Sequence, residues 1–506
     1  MIFLGWKPAL ALTHNILVIS DLHLGEDLGP SATEAATLHI DLVEKQLVHF
    51  LRYYTRRREH GKPWRLVING DMLDFMAVTL LPAPEDRATR EEREFGYHRT
   101  ANVAVAKLKK MAERHPDFFA ALARFLGRGN SVDVIPGNHD AEFHFPEVHD
   151  VFRKEVVKAW LKLVEGSKRG PLTREEIAEL IQFHPWFYYE PGLIWIEHGH
   201  QYDEHCSFEY QLTPRLPNSE AIISNVDTAA TRYVTSYVLE AESHQQEDWS
   251  FVGYLSFGVG LGFRSGLRLW RGYRKFTTSL LKAHRDITSN PEILEQARTN
   301  HVDKLHQLAA RWGVSADALH RVDDLRRRPV VGHRRRLMSV LMLDKLFVYV
   351  PAILISVVAL AWLGLAWGGL VALGMYGLGT LATWWTGRDR MIDPAMSLEI
   401  VSERILRRVD ARYVVFGHTH EPVAKELESG GWYYNLGTWV PSGKPGLLSA
   451  FTHLVVKGTD EKPEIGLCQW RDGASRWFVP KWNRNTVSPM KTTAETPVIS
   501  DVDLAS

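Results

Sequence analysis

Asn15-Ile-Leu-Val-Ile-Ser-Asp-Leu-His23 (NILVISDLH) is the stretch whose reading decides the fold. A short apolar run rich in β-branched residues reads as a buried β-strand. Here it ends in Asp21 and His23, two side chains able to bind a metal. The same construction recurs four times. WRLVIN (64–69) runs into Gly70-Asp71, and VDVIP (132–136) into Gly137-Asn138-His139-Asp140. LIWIE (193–197) runs into His198-Gly199-His200, and RYVVF (412–416) into Gly417-His418-Thr419-His420. Strand ends are places where a metal site is easily assembled, and five such clusters in series are hard to obtain by chance.

The residue types suit one chemistry. Two divalent ions about 3.5–4 Å apart can clamp the attacking and leaving oxygens of a phosphoryl transfer. Such a pair needs a bridging carboxylate and a mixture of oxygen and imidazole ligands. Asp71 is the natural bridge. An asparagine ligand adds coordination without charge.

In the order D-x-H, GD, GNHD, HGH and GHTH, the chain resembles the calcineurin-like metallophosphoesterases over residues 14–205 and 400–460. The resemblance implies an α/β fold, a four-layer α/β/β/α sandwich with its ligands on loops at strand ends. It implies that Asp21, His23 and His420 complete one ion, that Asn138, His198 and His418 complete the other, and that Asp71 bridges them. The two ions would be Mn²⁺, Fe²⁺, Zn²⁺ or Co²⁺. His139 corresponds to the histidine that stabilises the transition state or protonates the leaving group, and Asp140 is expected to orient it by a hydrogen bond. His198 and His200 can both be read as ligands; the family pattern selects His198, leaving His200 as a supporting or substrate-facing group. Asp74 is either a site residue or a helix N-terminal charge. Asn435-Leu436-Gly437-Thr438 reads as a structural turn near the site.

The fourth and fifth motifs stand far apart, which reads as an insertion into one catalytic domain. The expected division is 1–205 and 388–484 for the two parts of that domain, 206–345 for a mainly helical insertion, 346–387 for a membrane hairpin, and 485–506 for a polar, disordered tail. Leu346 to Gly387 holds 42 residues without a charged side chain or histidine. A bilayer core needs about 20 residues per helix, so the run fits two passes turning at Gly364–Gly369; the alternatives are one long tilted helix with an interfacial extension, a re-entrant hairpin, or a buried core hairpin of a soluble protein. Motifs on both sides of the run must meet at one centre, which excludes a single crossing. Arg326, Arg327, Arg328, Arg334, Arg335, Arg336 and Lys345 precede it, and Arg388 and Arg390 follow it. Positive flanks stay cytoplasmic and indoles favour the interface, as at Trp384 and Trp385. The catalytic domain is therefore expected at the cytoplasmic membrane, facing the cytoplasm.

Two other segments carry readings. Ser250 to Phe263 is uncharged and is followed by Arg264, Arg268, Arg271, Arg274 and Lys275, interleaved with Leu267, Leu269, Trp270 and Tyr273. That mixture suits a helix lying against anionic headgroups, a lid over an apolar substrate, or an amphipathic helix packed on the sandwich. Residues 85–115 read as a solvated charged helix, from which Arg99 and Lys107 could reach a substrate phosphate.

Composition excludes other classes. Two cysteines, Cys206 and Cys468, imply no disulfide framework, and the N-terminus shows no signal-peptide pattern. With 60 basic and 60 acidic residues the chain has no general attraction for nucleic acid, so no nucleic-acid partner is expected. The expected activity is hydrolysis of a phosphoester or pyrophosphate bond, in a lipid-linked or nucleotide-linked substrate, with membrane lipids as partners. Within the superfamily the chain looks most like the UDP-diacylglucosamine hydrolases, though many of those carry Arg where this chain has His139. A tethered phosphoesterase of soluble nucleotides, a nuclease (against which the zero net charge and the lack of a long basic stripe argue), and a membrane assembly protein with an accessory phosphoesterase domain are the competing readings.

Overall fold

The computed structural model describes residues 13–30, 32–165, 172–235, 262–341, 343–387, 394–441, 450–459 and 462–480. The expectations for 250–261, Arg388, Arg390 and the tail fall outside the described residues, as do the side chains of Arg264, Arg268, Lys345, Trp384 and Trp385.

The fold is mixed α/β, with two mixed sheets. The strands are β1 (Asn15–Ile19), β2 (Trp64–Asn69), β3 (Ser131–Ile135), β4 (Ile181–Phe183), β5 (Phe187–Glu190), β6 (Ile194–Glu197), β7 (Tyr413–Phe416), β8 (Pro422–Glu426), β9 (Trp432–Leu436), β10 (Thr452–Thr459), β11 (Lys462–Arg471) and β12 (Ala474–Trp477). One sheet runs β12-β11-β10-β1-β2-β3-β4, the other β5-β6-β7-β9-β8. The pairs β1–β2, β2–β3, β6–β7 and β7–β9 are parallel. Each of the five ligand-bearing segments follows β1, β2, β3, β6 or β7, which are parallel to a neighbour and so deliver their C-terminal ends to the same side of their sheet. The segment after the insertion supplies β10 beside β1 and β7 beside β6, so both sheets need both ends of the chain.

All five residues of β1 are buried, as a strand covered on both faces requires. Successive side chains point to opposite faces. Leu17 and Ile19, with Leu66 and Ile68 of β2, join a core shared with the helices Glu34–Arg56, Ala101–Arg114, Pro116–Leu126 and Pro146–Val164. Ile16, Val18 and Val67 instead join a core that also holds Ile194, Ile196, Val415 and Tyr434 of the second sheet. Trp195, Val414 and Phe416 turn the other way, into a third core with Leu305, Leu308, Leu319, Val322, Leu398 and Ile405. Helix Glu34–Arg56 illustrates the local cause. Thr33 caps it by accepting from the Ala36 amide, and Ile40, Val43, Leu47, Leu51 and Tyr54 recur at the spacing of one helical face. Helix Pro291–Trp312 likewise starts at proline, after an Asn290 cap.

Residues 85–94 are exposed or half-buried, as the solvated reading requires, with a short helix at Arg90–Phe95; the departure lies beyond them. Arg99 and Lys107 are buried: Arg99 forks onto Glu142 at 2.7 Å through two nitrogens, and Lys107 donates to the Phe75 carbonyl at 2.6 Å. Both cations are consumed within the fold, because a buried charge requires a partner.

The apolar helix Leu343–Gly387 breaks at Gly364, whose φ of 74° and ψ of 178° are not helical. Beyond the break Gly368 backs onto Leu360, and Gly379 packs against Tyr349. Contacts at these paired distances from Gly364 mean that the two arms run antiparallel, side by side. The reversal takes one residue rather than the whole Gly364–Gly369 stretch, since glycine alone adopts that backbone at no steric cost. Phe347–Leu381 is long and apolar enough to cross a membrane, at a mean hydropathy of 2.3. Its large side chains face outward, with Trp362 86% and Leu365 90% exposed.

Candidate metal centre

The sequence reading places seven ligands on five loops. The structure brings six of them together. Asp21, His23 and His420 form one group whose ligand atoms lie within 4.8 Å of one another, and Asp21, Asp71 and His198 form a second. His420 Nε2 stands 3.2 Å from both Asp21 Oδ1 and His23 Nε2. His198 Nε2 stands 3.2 Å from Asp71 Oδ2 and 3.3 Å from Asn138 Oδ1. Asp71 lies between the groups, its Oδ2 also 4.0 Å from His23 Nε2. Asp21, His23, Asp71, Asn138 and His198 are all buried.

Backbone geometry marks four of these residues, together with His418. Asp21, His23, Asp71, His418 and His420 all have positive φ, between 47° and 69°. Non-glycine residues seldom adopt this region, and such strain gathers at functional sites. The motif glycines make room for it. A Cβ on Gly70 would overlap the His198 ring, and one on Gly417 would overlap Ser20 and Asp21.

The donor set fits a divalent cation. His198 Nδ1 lies 2.9 Å from the Asn69 carbonyl, which can only accept, so that nitrogen carries the proton. Nε2 then faces the Asp71 carboxylate and the Asn138 amide oxygen, an all-acceptor arrangement that calls for a proton or a cation at its centre. Asn138 donates its amide to Asp227 at 3.0 Å, which turns its oxygen toward His198. Burial opposes charge on both partners, yet the His198 and His139 rings hold Asp71 well below the usual carboxylate range, and Asp71 lifts His198 to about 9. Mixed carboxylate, amide and imidazole ligands suit first-row divalent ions.

His418 stands differently. Its backbone amide points at Asp21 Oδ2, 3.3 Å away, and its ring centroid lies 5.5 Å from that of His198. Its Nε2 faces Asp203 Oδ2 at 3.2 Å. A carboxylate there fixes the tautomer with the lone pair on Nδ1, as in carboxylate–histidine–metal triads.

The expected role of Asp140 is corrected. Its carboxylate does not orient the His139 ring; it accepts the amides of Gly137 at 2.6 Å, Met72 at 2.8 Å and Asp71 at 3.2 Å. Asp140 thereby ties the third motif loop to the second. The partner of His139 is Asp74, whose Oδ2 lies 3.0 Å from His139 Nδ1 and 3.6 Å from His23 Nδ1. Burial works against a charged imidazole, but Asp74 and then Asp71 raise His139 well above its ordinary value. His200 is buried with its ring centroid 5.5 Å from that of His198, and burial, then His198, hold it well below the ordinary range and so neutral. Asn435 is structural: it donates to the Gly417 carbonyl at 2.7 Å and accepts from Gly437.

Asp203 and Asp227 were missed by sequence reasoning. Asp203 follows the fourth motif closely, which is the one signal available; Asp227 stands in the insertion without any motif around it.

No family model matches the chain, and no curated protein matches it.

Proposed function

We propose that the chain is a metal-dependent phosphoesterase of the calcineurin-like type, anchored in a membrane by the hairpin 343–387. The observation that carries this reading is the convergence of Asp21, His23, Asp71, Asn138, His198 and His420, from five strand-end loops, on two adjoining donor groups that share Asp21 and flank Asp71. Three cores, one between the sheets and one outside each, support a four-layer α/β/β/α sandwich. When bound, two divalent ions would supply charge that stabilises the phosphoryl transition state and lowers the pKa of water. They would be Mn²⁺, Fe²⁺, Zn²⁺ or Co²⁺.

The chain's own residues divide the work. Asp71, between the two donor groups, would be the carboxylate shared by both ions. Asn138, held by Asp227, and His418, held by Asp203, are oriented ligands. His139 donates its Nδ1 proton to Asp74 and presents its Nε2 proton to the leaving oxygen. The substrate is a phosphoester or pyrophosphate, lipid-linked because the hairpin holds the site beside a bilayer. Both hairpin ends lie on one side, and the arginine-rich approach supports a cytoplasmic side for them and for the metal centre.

Phosphorus NMR of the full chain in detergent, loaded with Mn²⁺ and given UDP-diacylglucosamine, tests this reading. UMP and lipid phosphate formed by the wild type, and not by Asp71→Asn, is the expected result. Hydrolysis of an aryl phosphodiester alone would overturn the lipid pyrophosphate assignment. Inactivity toward both, with no Mn²⁺ bound, would overturn the enzyme reading.

A further inference from the structure

Helix Gly262–Thr288 has two faces with different partners. Phe276, Leu280, Ala283 and Ile287 turn inward, into a core with Val226, Ala229, Tyr233, Val330, Leu337 and Leu341. Gly272 sits so close to the Tyr233 carbonyl that any Cβ would overlap it. Lys275 is fastened to Glu91 at 2.9 Å. This helix is therefore fixed to the body of the protein by one stripe.

The opposite stripe is exposed. Leu267, Trp270, Arg271, Arg274, Leu281 and Lys282 follow one another at helical spacing, all exposed, with Trp270 57% open. The guanidinium of Arg274 lies 5.5 Å from the Trp270 ring centre. From Gly262 to Arg285 the helix contains no acidic residue. A stripe, here 267–282, that exposes Leu and Trp among basic residues and no carboxylate has the composition of one lying in the headgroup layer of an anionic bilayer.

Its location agrees with its composition. The Tyr273 hydroxyl donates to the Leu341 carbonyl at 2.6 Å, two residues before the apolar hairpin begins. The helix is thus bonded to the foot of the segment that enters the membrane. Arg334 and Arg335, exposed in the short helix Arg334–Val340, add charge of the same sign at that foot.

We infer that the exposed stripe of Gly262–Thr288 is a docking surface for anionic phospholipid headgroups, seated on the bilayer that the hairpin enters; this rests on the membrane reading above. The contact also reaches the metal centre. The inner stripe packs on helix Val226–Tyr233, whose first turn carries Asp227, the residue that holds Asn138. Lipid seating of one helix is therefore two packing contacts from a metal ligand.

The test uses the full chain in nanodiscs made either with phosphatidylglycerol or with phosphatidylcholine alone. Nitroxides are placed, one at a time, by Thr278→Cys on the stripe, Thr299→Cys on the exposed side of helix Pro291–Trp312, and Val357→Cys in the hairpin. Accessibility to aqueous nickel chelate and to oxygen is read by electron paramagnetic resonance. The expected result is oxygen-rich, nickel-poor signal at 357 in both discs. At 278, nickel accessibility falls several-fold in the anionic discs only, and at 299 it stays high. Replacing Arg271→Gln with Arg274→Gln restores nickel access at 278. A label at 278 as open to nickel as that at 299 in both discs overturns the inference while a buried 357 preserves the membrane reading. Equal protection at 278 in both discs overturns the headgroup-charge component. A nickel-exposed 357 overturns the membrane reading itself. Protection at 278 only when nucleic acid or a second copy is added would assign the stripe to that partner instead.

Discussion

The metal centre and the hairpin are opposite solutions to the placing of polar and apolar groups. At the centre, carboxylates and imidazoles are buried at the ends of strands whose own side chains are apolar, and each charge is met by another or by backbone amides. In the hairpin, apolar side chains point outward and the close contacts between the arms are made at glycines. In water the first arrangement is stable and the second is not, since large contiguous apolar patches are rare on soluble proteins. On the reading proposed above, the difference teaches that one chain can be built for two solvents, with the hairpin carrying the change from one to the other.

The comparison can be broken from either side, and the largest effect is expected at the centre. Asp71→Asn removes the carboxylate between both donor groups and should lower Mn²⁺ occupancy and turnover together, by about 10³-fold in rate. Metal analysis of the purified variant, with circular dichroism to show that it folds, checks this. Retained metal and activity would remove Asp71 from the bridging position.

On the other side, Val357→Arg puts a charge in the middle of an arm where the native side chain is 57% exposed. If lipid is the solvent there, the change opposes insertion by about 2.5–3.5 kcal/mol. Fractionation should then move protein out of the membrane pellet while leaving Mn²⁺ binding intact. An unchanged distribution would return the hairpin to the status of a soluble element.

Asp203→Asn sharpens the comparison, because Asp203 supports His418 from outside the motifs. Outer carboxylates of this kind are worth about 10–100-fold in metal affinity. Mn²⁺ titration followed by calorimetry should show one weakened site beside one nearly unchanged. Uniform affinity would make Asp203 an ordinary structural partner.

The last test concerns acid. Burial pushes His453 down to about 3, offset only partly by the Phe451 carbonyl. The folded protein therefore keeps this ring neutral where the unfolded chain, near 6.5, takes up a proton. Stability contributed by the neutral ring is full above pH 6.5 and declines as pH falls toward 3, by about 1 kcal/mol per pH unit. Thermal unfolding of the sheet-bearing part should track this decline and lose part of it in His453→Gln. The hairpin, which contains no charged residue or histidine from 346 to 387, should not respond.

Strand ends were the legible part of the site. A buried strand has to be apolar, so a polar cluster immediately after it stands out, and the five clusters could be picked out in this way; the family resemblance then selected Asp21, His23, Asp71, Asn138, His198 and His420 within them. The hairpin was legible for a related reason: a segment exposed to lipid must be apolar throughout, and glycine must supply any tight reversal within it. Only the tertiary structure decided the supports. Asp74 rather than Asp140 holds His139, because the Asp140 carboxylate is saturated by the amides of two loops that meet only in the fold. Asp203 and Asp227 reach the site because their loops and helix pack beside it, and a carboxylate used at second remove needs no particular spacing from the ligand it holds. The sequence by itself, through five strand-end motifs and the resemblance they carry, indicated where a candidate donor cluster would gather, and its long uncharged run indicated the apolar hairpin. Which side chain leans on which was set by packing between segments far apart in the chain, a relation that leaves no local pattern.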